Sequence, residues 1–240
     1  NNNYELRNIA NDETLTRLSS RPKSMGWDDE NIYIRSNYGA QKITQNTGVI
    51  SDLQIGNNNR WIYSFVNAPE GGFIAFNTYS SGLKVYDVKN NKTHLIEYGY
   101  SNNFNSQFME FSQSGKYLAY SFNQRLKVAM RQDDGSYSSV SLPGFDYDEL
   151  VDFKWVDEDL YLYYKQTSEL HLAKIDLISN DISVIKPKSE NASFIGVNGS
   201  QILIQSEQQS ERTITSYDFN LDQNWVTQNP YNGSNVLLNG

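Results

Sequence analysis

The sequence predicts an all-β chain that is built from one repeated unit. Aromatic residues, which favour strands, are plentiful, with 17 Tyr and 11 Phe in 240 residues. Short apolar runs that end in an aromatic or aliphatic residue recur along the chain. Clusters of Asn, Asp, Ser and Gly, which favour turns, separate these runs. Together the three features indicate short antiparallel strands joined by tight turns.

Five of the apolar runs are spaced almost evenly. Their centres lie 42, 44, 43 and 41 residues apart. A step of this size is typical of β-propellers, in which each repeat forms a blade of four antiparallel strands. We therefore predict a single β-propeller domain over residues 1–240. The centres of the five runs are Tyr33, Ala75, Ala119, Leu162 and Leu203.

The third repeat shows all four strands most clearly. Asp133-Asp134-Gly135 predicts the hairpin turn between its last two strands, because Asp-Gly favours the primed turn types. The strands of this repeat are predicted at 107–111, 116–121, 125–131 and 137–142. The last two strands of the other repeats are predicted, in order, at 41–44 and 49–53, 82–88 and 93–97, 170–177 and 181–185, and 213–219 and 224–227.

The two ends of the sequence carry the remaining strand signals. Residues 4–9 resemble a third strand and residues 14–18 an outer strand, while residues 234–238 lie where a first strand is due. This arrangement favours six blades, with the last blade split between the termini. Such a split would protect open sheet edges. The alternative is five blades with extra strands at the ends.

One repeat resembles a known family. The segment 111–121, Phe-Ser-Gln-Ser-Gly-Lys-Tyr-Leu-Ala-Tyr-Ser, is similar to the WD40-like repeat of TolB-type propellers, with Gln113 and Ser114 in place of the family's Pro and Asp. Residues 27–33 and 155–161 are looser versions of this pattern. Residues 84–88 are similar to the family's third strand.

The resemblance implies a binding module rather than an enzyme. TolB-like propellers are often periplasmic and bind proteins or peptides. Some membrane-anchored transcription regulators that resemble CadC or ToxR carry such a propeller outside the membrane as a sensor. We therefore expect an extracytoplasmic protein-binding or sensory domain of a bacterial envelope or signal-transduction protein.

Composition narrows the classes of partner. The formal net charge of −8 disfavours nucleic acid and anionic membrane surfaces, both of which attract clustered Lys and Arg. No apolar run reaches 18 residues, so this segment is not expected to insert into a membrane. With no cysteine and only two histidines, the sequence predicts neither a cofactor nor a metal site. A protein or peptide partner is the expectation.

Aromatic residues in the connecting loops are the predicted binding residues. Loops that enter a blade and loops between second and third strands lie on the same face of a propeller. Aromatic side chains there would provide contact area at low entropic cost. Tyr98 lies in one of these loops, and the predicted binding residues are Tyr38, Trp61, Tyr79, Tyr100, Phe104, Phe145 and Tyr147.

Two alternatives remain open. A propeller glycosidase would place an acid and a base or nucleophile in the central channel, and the candidate carboxylates are Glu110, Asp148, Glu149 and Asp152. A structural scaffold within an envelope complex would need no such site. His94 and His171 are predicted to be ordinary strand residues, because no nucleophile motif accompanies them.

Overall fold

A computed structural model describes residues 4–7, 14–18, 21–36, 39–55, 62–79, 81–144, 146–167, 169–185, 192–198, 201–208 and 211–228. Within these residues the chain forms five four-stranded antiparallel sheets and one two-stranded sheet. The four strands of each larger sheet lie side by side in chain order, as the four-stranded repeat predicts. The contacts divide the chain into two compact units, residues 1–140 and 141–240.

The first unit contains four sheets, named A to D. Sheet A has two strands and the others have four. Their strands are β1 (Tyr4–Arg7) and β2 (Thr14–Leu18) in sheet A; β3 (Ser24–Trp27), β4 (Asn31–Ser36), β5 (Gly39–Thr44) and β6 (Ile50–Asp52) in sheet B; β7 (Ile62–Asn67), β8 (Phe73–Thr78), β9 (Gly82–Asp87) and β10 (Lys92–Glu97) in sheet C; and β11 (Phe104–Phe111), β12 (Tyr117–Phe122), β13 (Arg125–Arg131) and β14 (Tyr137–Val140) in sheet D. A 3₁₀ turn at Ser101–Asn103 precedes β11.

The second unit contains two four-stranded sheets, E and F. Their strands are β15 (Glu149–Val156), β16 (Asp159–Gln166), β17 (Glu169–Asp176) and β18 (Asp181–Ile185) in sheet E, and β19 (Ala192–Asn198), β20 (Gln201–Gln208), β21 (Glu211–Asp218) and β22 (Gln223–Gln228) in sheet F.

The apolar runs of the repeat form the second strand of each four-stranded sheet. In β8, Ile74 and Phe76 are buried against sheet B, whereas Ala75 between them is buried against sheet D. Successive side chains of a strand point to opposite faces of its sheet, so a strand buried on both faces needs a continuous apolar run. The run in the sequence therefore results from packing on both faces of the sheet.

Sheets C and D are also joined by an aromatic cluster. The ring of Tyr137 makes edge contacts with Phe73 and Phe111, at centroid distances of 5.9 and 6.0 Å. Its hydroxyl donates to the carbonyl oxygen of Gly115 at 2.6 Å. Burial raises the pKa of Tyr137, which keeps this hydroxyl protonated as a hydrogen-bond donor.

In the second unit, tyrosines join sheets E and F. Tyr161 and Tyr163 of β16 pack against Ile202 and Ile204 of β20. The Tyr161 hydroxyl also donates to the carbonyl oxygen of Phe219 at 3.0 Å.

An aspartate ends the third strand of three sheets and organises the turn that follows. Asp87, Asp176 and Asp218 each accept backbone N–H groups from the next few residues, at 2.8 to 3.1 Å. This side-chain turn is a favoured use of aspartate. The bonds from Ile178 and Ser179 also hold the pKa of Asp176 below its usual value.

Most predicted strands are confirmed. The bounds of β13 and β18 match the prediction. The hairpin turn predicted at Asp133-Asp134-Gly135 is present, but the predicted primed type is wrong, because only Gly135 has a positive φ, of 78°. Strand β11 begins at Phe104, three residues earlier than predicted. Sheet A supplies the two N-terminal strands, while residues 234–238 lie outside the described residues. The number of blades and the single domain over 1–240 therefore stay predictions.

Replacing Tyr137 tests the junction between sheets C and D. We expect Tyr137→Phe to keep the ring contacts but lose the buried bond to Gly115, which lowers the free energy of unfolding by about 1–2 kcal/mol. Urea unfolding followed by tryptophan fluorescence measures this change. Tyr98→Phe, at an exposed ring, is the matched control and should leave stability unchanged. Equal stability of the two variants would contradict the assigned role of the Tyr137 hydroxyl.

Candidate functional site

Four exposed tyrosines lie on or beside neighbouring loops of sheet C. The exposed fractions of Tyr63, Tyr79, Tyr98 and Tyr100 are 44%, 55%, 68% and 58%. Tyr63 lies at the start of β7, Tyr79 follows β8, and the other two lie between β10 and β11. We call these four residues the tyrosine surface. Exposed aromatic side chains are unusual in such number, and tyrosine is enriched where proteins bind partners.

A β-bulge turns Tyr63 outward. In the pairing of β7 with β8, Ile62 lies opposite Thr78 and Ser64 opposite Asn77, so Tyr63 has no cross-strand partner. The extra residue lets the Tyr63 side chain leave the sheet and meet the ring of Tyr79, at a centroid distance of 6.1 Å and an interplanar angle of 31°.

The buried side chain of Asn77 holds this bulge in place. Its Oδ1 accepts from the Ser64 backbone N–H at 2.7 Å and from the Ser64 hydroxyl at 2.6 Å. Both residues are buried, so these bonds replace the regular ladder bond that the bulge interrupts. Asn77 is therefore a positioning residue for Tyr63.

Backbone contacts join the loops of Tyr79 and Tyr100. The Ser101 N–H donates to the carbonyl oxygen of Tyr79 at 3.0 Å. Gly82 makes the close approach possible: it has a φ of +80°, and a Cβ there would lie 2.0 Å from the Glu97 carbonyl oxygen.

Asn103 links the loop of Tyr100 to the turn that follows β12 through hydrogen bonds. Its Oδ1 accepts from the Tyr100 N–H at 2.8 Å, and its Nδ2 donates to Asn123 Oδ1 at 2.7 Å. The Asn123 N–H returns a bond to the Asn103 carbonyl oxygen at 2.7 Å. Loops tied by such bonds present the tyrosines in a fixed arrangement, which lowers the entropic cost of binding.

Three charged side chains close to this surface have partners within the chain. Lys127 Nζ contacts Glu97 Oε2 at 2.5 Å, and the buried Tyr120 hydroxyl donates to the same oxygen at 3.4 Å. Burial, followed by the nearby Glu97 charge, raises the pKa of Tyr120. Lys84 Nζ donates to the Ser81 hydroxyl at 3.0 Å. The ammonium groups of Lys127 and Lys84 thus already have partners within the chain.

The predicted binding residues have different outcomes. Tyr79 and Tyr100 are exposed and lie on joined loops, and their role in binding stays a prediction. Phe104 and Tyr147 are buried: Phe104 packs on Phe122 at a centroid distance of 5.0 Å, and Tyr147 packs on Tyr164 at 5.8 Å. These two rings therefore do not offer the contact area that the prediction assigned to them, since each fills space beside a strand. Tyr38, Trp61 and Phe145 lie outside the described residues.

Sequence reasoning missed Tyr63. No strand was predicted for the segment that contains Tyr63, and a bulge leaves no reliable mark in one sequence. A weak signal does exist: residues 62–66, Ile-Tyr-Ser-Phe-Val, do not alternate cleanly between apolar and polar.

Groups within the chain hold three candidate carboxylates of a glycosidase, which are Asp148, Glu149 and Asp152. In the second unit, Asp148 Oδ2 accepts the Thr167 N–H at 2.6 Å and Glu149 Oε2 pairs with Lys165 Nζ at 2.8 Å. Asp152 accepts the Phe153 N–H at 2.8 Å, and burial raises the pKa of its carboxyl group. Glu110, in the first unit, lies half-buried in β11.

The histidines lie in strands, as predicted. His94 is in β10, and His171 in β17 stacks on Tyr164 at a centroid distance of 5.2 Å. In the described part of the chain, no three His, Cys, Asp or Glu side chains are grouped so that they could hold a metal ion. Among the same residues, no helix has the length and hydropathy needed to cross a membrane.

No protein-family profile and no curated protein sequence matches the chain. Solved structures do match its fold. Dihydro-heme d1 dehydrogenase NirN in complex with DHE is 11% identical, with a TM-score of 0.58 over 87% of this chain and 47% of that chain. The WD40 repeats of RRP9 are 11% identical, with a TM-score of 0.53 over 89% and 65%. These likenesses confirm the predicted WD40-like β-propeller fold.

The chain is also similar to TolB from Acinetobacter baumannii, at 13% identity and a TM-score of 0.47 over 95% of this chain. It spans 63% of that TolB chain and 47% of the NirN chain. The matched proteins are thus considerably longer than the present chain.

Replacing Asn77 tests how Tyr63 is positioned. We expect Asn77→Ala to remove both buried bonds to Ser64 and lower the free energy of unfolding by about 2–3 kcal/mol. The NMR signals of the Tyr63 and Tyr79 rings should shift together, because the bulge brings these rings into contact. Asn102→Ala, at an exposed amide in the 3₁₀ turn, is the control and should change neither quantity. Ring signals that stay in place in a destabilised Asn77→Ala variant would show that the bulge does not depend on this side chain.

Proposed function

We propose that this chain is a non-enzymatic binding module that recognises a protein, peptide or small ligand through the tyrosine surface. The observation that carries the proposal is the group of four exposed tyrosines on loops that backbone and amide hydrogen bonds hold together. Tyrosine suits recognition because its large ring loses little conformational freedom on binding and its hydroxyl forms hydrogen bonds.

Two further observations support binding rather than catalysis. Asp148 and Glu149, the adjacent carboxylates proposed for a glycosidase, already hold a backbone N–H and a lysine. The four rings of the tyrosine surface, in contrast, are exposed. Buried aromatic residues of the same sheets pack in the core, as Phe76 and Phe111 do.

We also propose that the chain is the extracytoplasmic part of a bacterial envelope or signal-transduction protein. Support comes from the resemblance of residues 111–121 to the TolB-type repeat. A sensor propeller in a membrane-anchored transcription regulator is the specific form of this proposal. In either setting, we propose that the protein recognises its partner or signal by binding it at the tyrosine surface.

The binding proposal is tested with peptides selected from a random phage-displayed library on the immobilised wild-type chain. Tyr79→Ala and Tyr100→Ala should each weaken the selected peptides at least tenfold, which corresponds to about 1.4 kcal/mol. Affinities are measured by fluorescence anisotropy with labelled peptides.

Trp27→Ala is the matched control for this experiment. Trp27 is exposed, but its carbonyl oxygen accepts from Asn67 Nδ2 at the opposite end of β7 from Tyr63. It should therefore leave peptide affinity unchanged. Peptides that bind the folded Tyr79→Ala, Tyr100→Ala double variant as tightly as the wild type would overturn the proposal.

Cell fractionation tests the location. An antibody against the chain should detect the native protein in the fraction released by osmotic shock, or in the membrane fraction with protease-accessible epitopes. Detection only in the cytosolic fraction, with a cytosolic marker enzyme as the control, would contradict an extracytoplasmic location.

A further inference from the structure

We infer that the ligand of the tyrosine surface is a neutral oligosaccharide, with sugar rings stacked on Tyr63 and Tyr79. The inference rests on the proposed binding function of this surface and names the chemical class of the ligand. Three properties of the surface carry it: the paired rings, the lack of charge and the mixture of donors and acceptors.

The two rings form a platform of suitable shape. Their centroids are 6.1 Å apart and their planes differ by 31°, so the pair covers more area than one ring. Each ring is about half exposed, at 44% and 55%. A pyranose has an apolar face of C–H groups that packs on an aromatic ring, and its burial against the ring is favoured by the hydrophobic effect.

The segments that carry Tyr79, Tyr98 and Tyr100, and the end of sheet D beside them, lack charged residues. Residues 71–83, 98–109 and 117–124 contain no Asp, Glu, Lys or Arg, although 20% of the whole chain is charged. Glu97 and Lys127 at the edge form an ion pair, and Lys84 Nζ donates to the Ser81 hydroxyl. Arg35, beside Tyr63, is half-buried, and its guanidinium donates to Ser24 Oγ and to the Ile62 carbonyl oxygen. Arg60, ahead of β7, lies outside the described residues. A phosphate or carboxylate ligand would need a cationic partner, and a cationic ligand would need a carboxylate. An uncharged ligand is therefore favoured.

Hydrogen-bonding groups of both kinds lie in the loops that are joined to the loop of Tyr79. Asn102 and Gln124 are exposed side-chain amides, which donate and accept, and the tyrosine hydroxyls do the same. Gln124 follows Asn123, which two bonds fix to Asn103. Sugar hydroxyl groups also both donate and accept, so they match this surface.

A proline-rich peptide is the competing neutral ligand, because such peptides also pack on tyrosines. Proline has no N–H group, so a run of prolines offers only carbonyl acceptors. The amide oxygens of Asn102 and Gln124 would then lack donors from the ligand. Sugar hydroxyl groups can bind both the NH₂ donor and the carbonyl oxygen of each amide, and for this reason we favour an oligosaccharide.

The test is an NMR titration of the ¹⁵N-labelled chain with maltohexaose, cellohexaose, xylohexaose and mannohexaose, and in parallel with decaproline. At least one oligosaccharide should cause saturable shifts in residues 62–64, 79–82 and 98–103. Tyr63→Ala and Tyr79→Ala should weaken this binding roughly tenfold, whereas Tyr79→Phe, which keeps the ring, should stay within about threefold of the wild type. Trp27→Ala should leave the affinity unchanged.

The outcomes separate this inference from the proposed function. If selected peptides bind the tyrosine surface but no oligosaccharide does, the ligand class is wrong and the binding function stands. Saturable binding of decaproline alone at these residues would replace the sugar by a proline-rich peptide. Oligosaccharide binding that Tyr63→Ala and Tyr79→Ala leave unchanged would also overturn the inference. Failure of both peptides and sugars at this surface would end both proposals.

Discussion

The burial of the middle strands on both faces is the constraint on which the rest of the structure depends. Ile74 and Phe76 of β8 pack on one neighbouring sheet, while Ala75 between them packs on the other. Full burial of an Ile or Phe side chain contributes about 1.5–3 kcal/mol, so a polar residue in such a strand would be costly. In the first unit, sheet C is held between sheets B and D, and in the second unit sheets E and F pack on each other.

Because the core depends on the middle strands, the sheets of this chain differ from one another mainly in their loops, turns and bulges. The tyrosine surface illustrates this division. Asn77 lies in the buried β8, yet its side chain supports a bulge in β7 and so directs Tyr63 outward. A core polar residue that stabilises an irregular strand thus shapes an exposed surface. Gly82 does the same for the loop of Tyr98 and Tyr100, because only a residue without a side chain fits there.

The polar groups that stabilise the fold can be recognised by their partners within the chain. Asp87, Asp176 and Asp218 organise turns, and Asp148 and Glu149 secure the entry to sheet E. Their charges are used within the fold. The tyrosine surface has exposed rings and neutral amides instead, and for this reason we propose it as the binding surface.

The sequence by itself determined the period, the four-stranded sheets and the loops on which Tyr79 and Tyr100 lie, because these depend on local alternation and turn chemistry. Only the tertiary structure decided which aromatic residues are exposed. Phe104 joins β11 and turns inward against Phe122, whereas Tyr63 leaves β7 at a bulge and meets Tyr79. These outcomes depend on cross-strand register and on contacts between residues far apart in the chain, such as Ser64 with Asn77 and Ser101 with Tyr79. One sequence records the identity of those residues but not the distances between them.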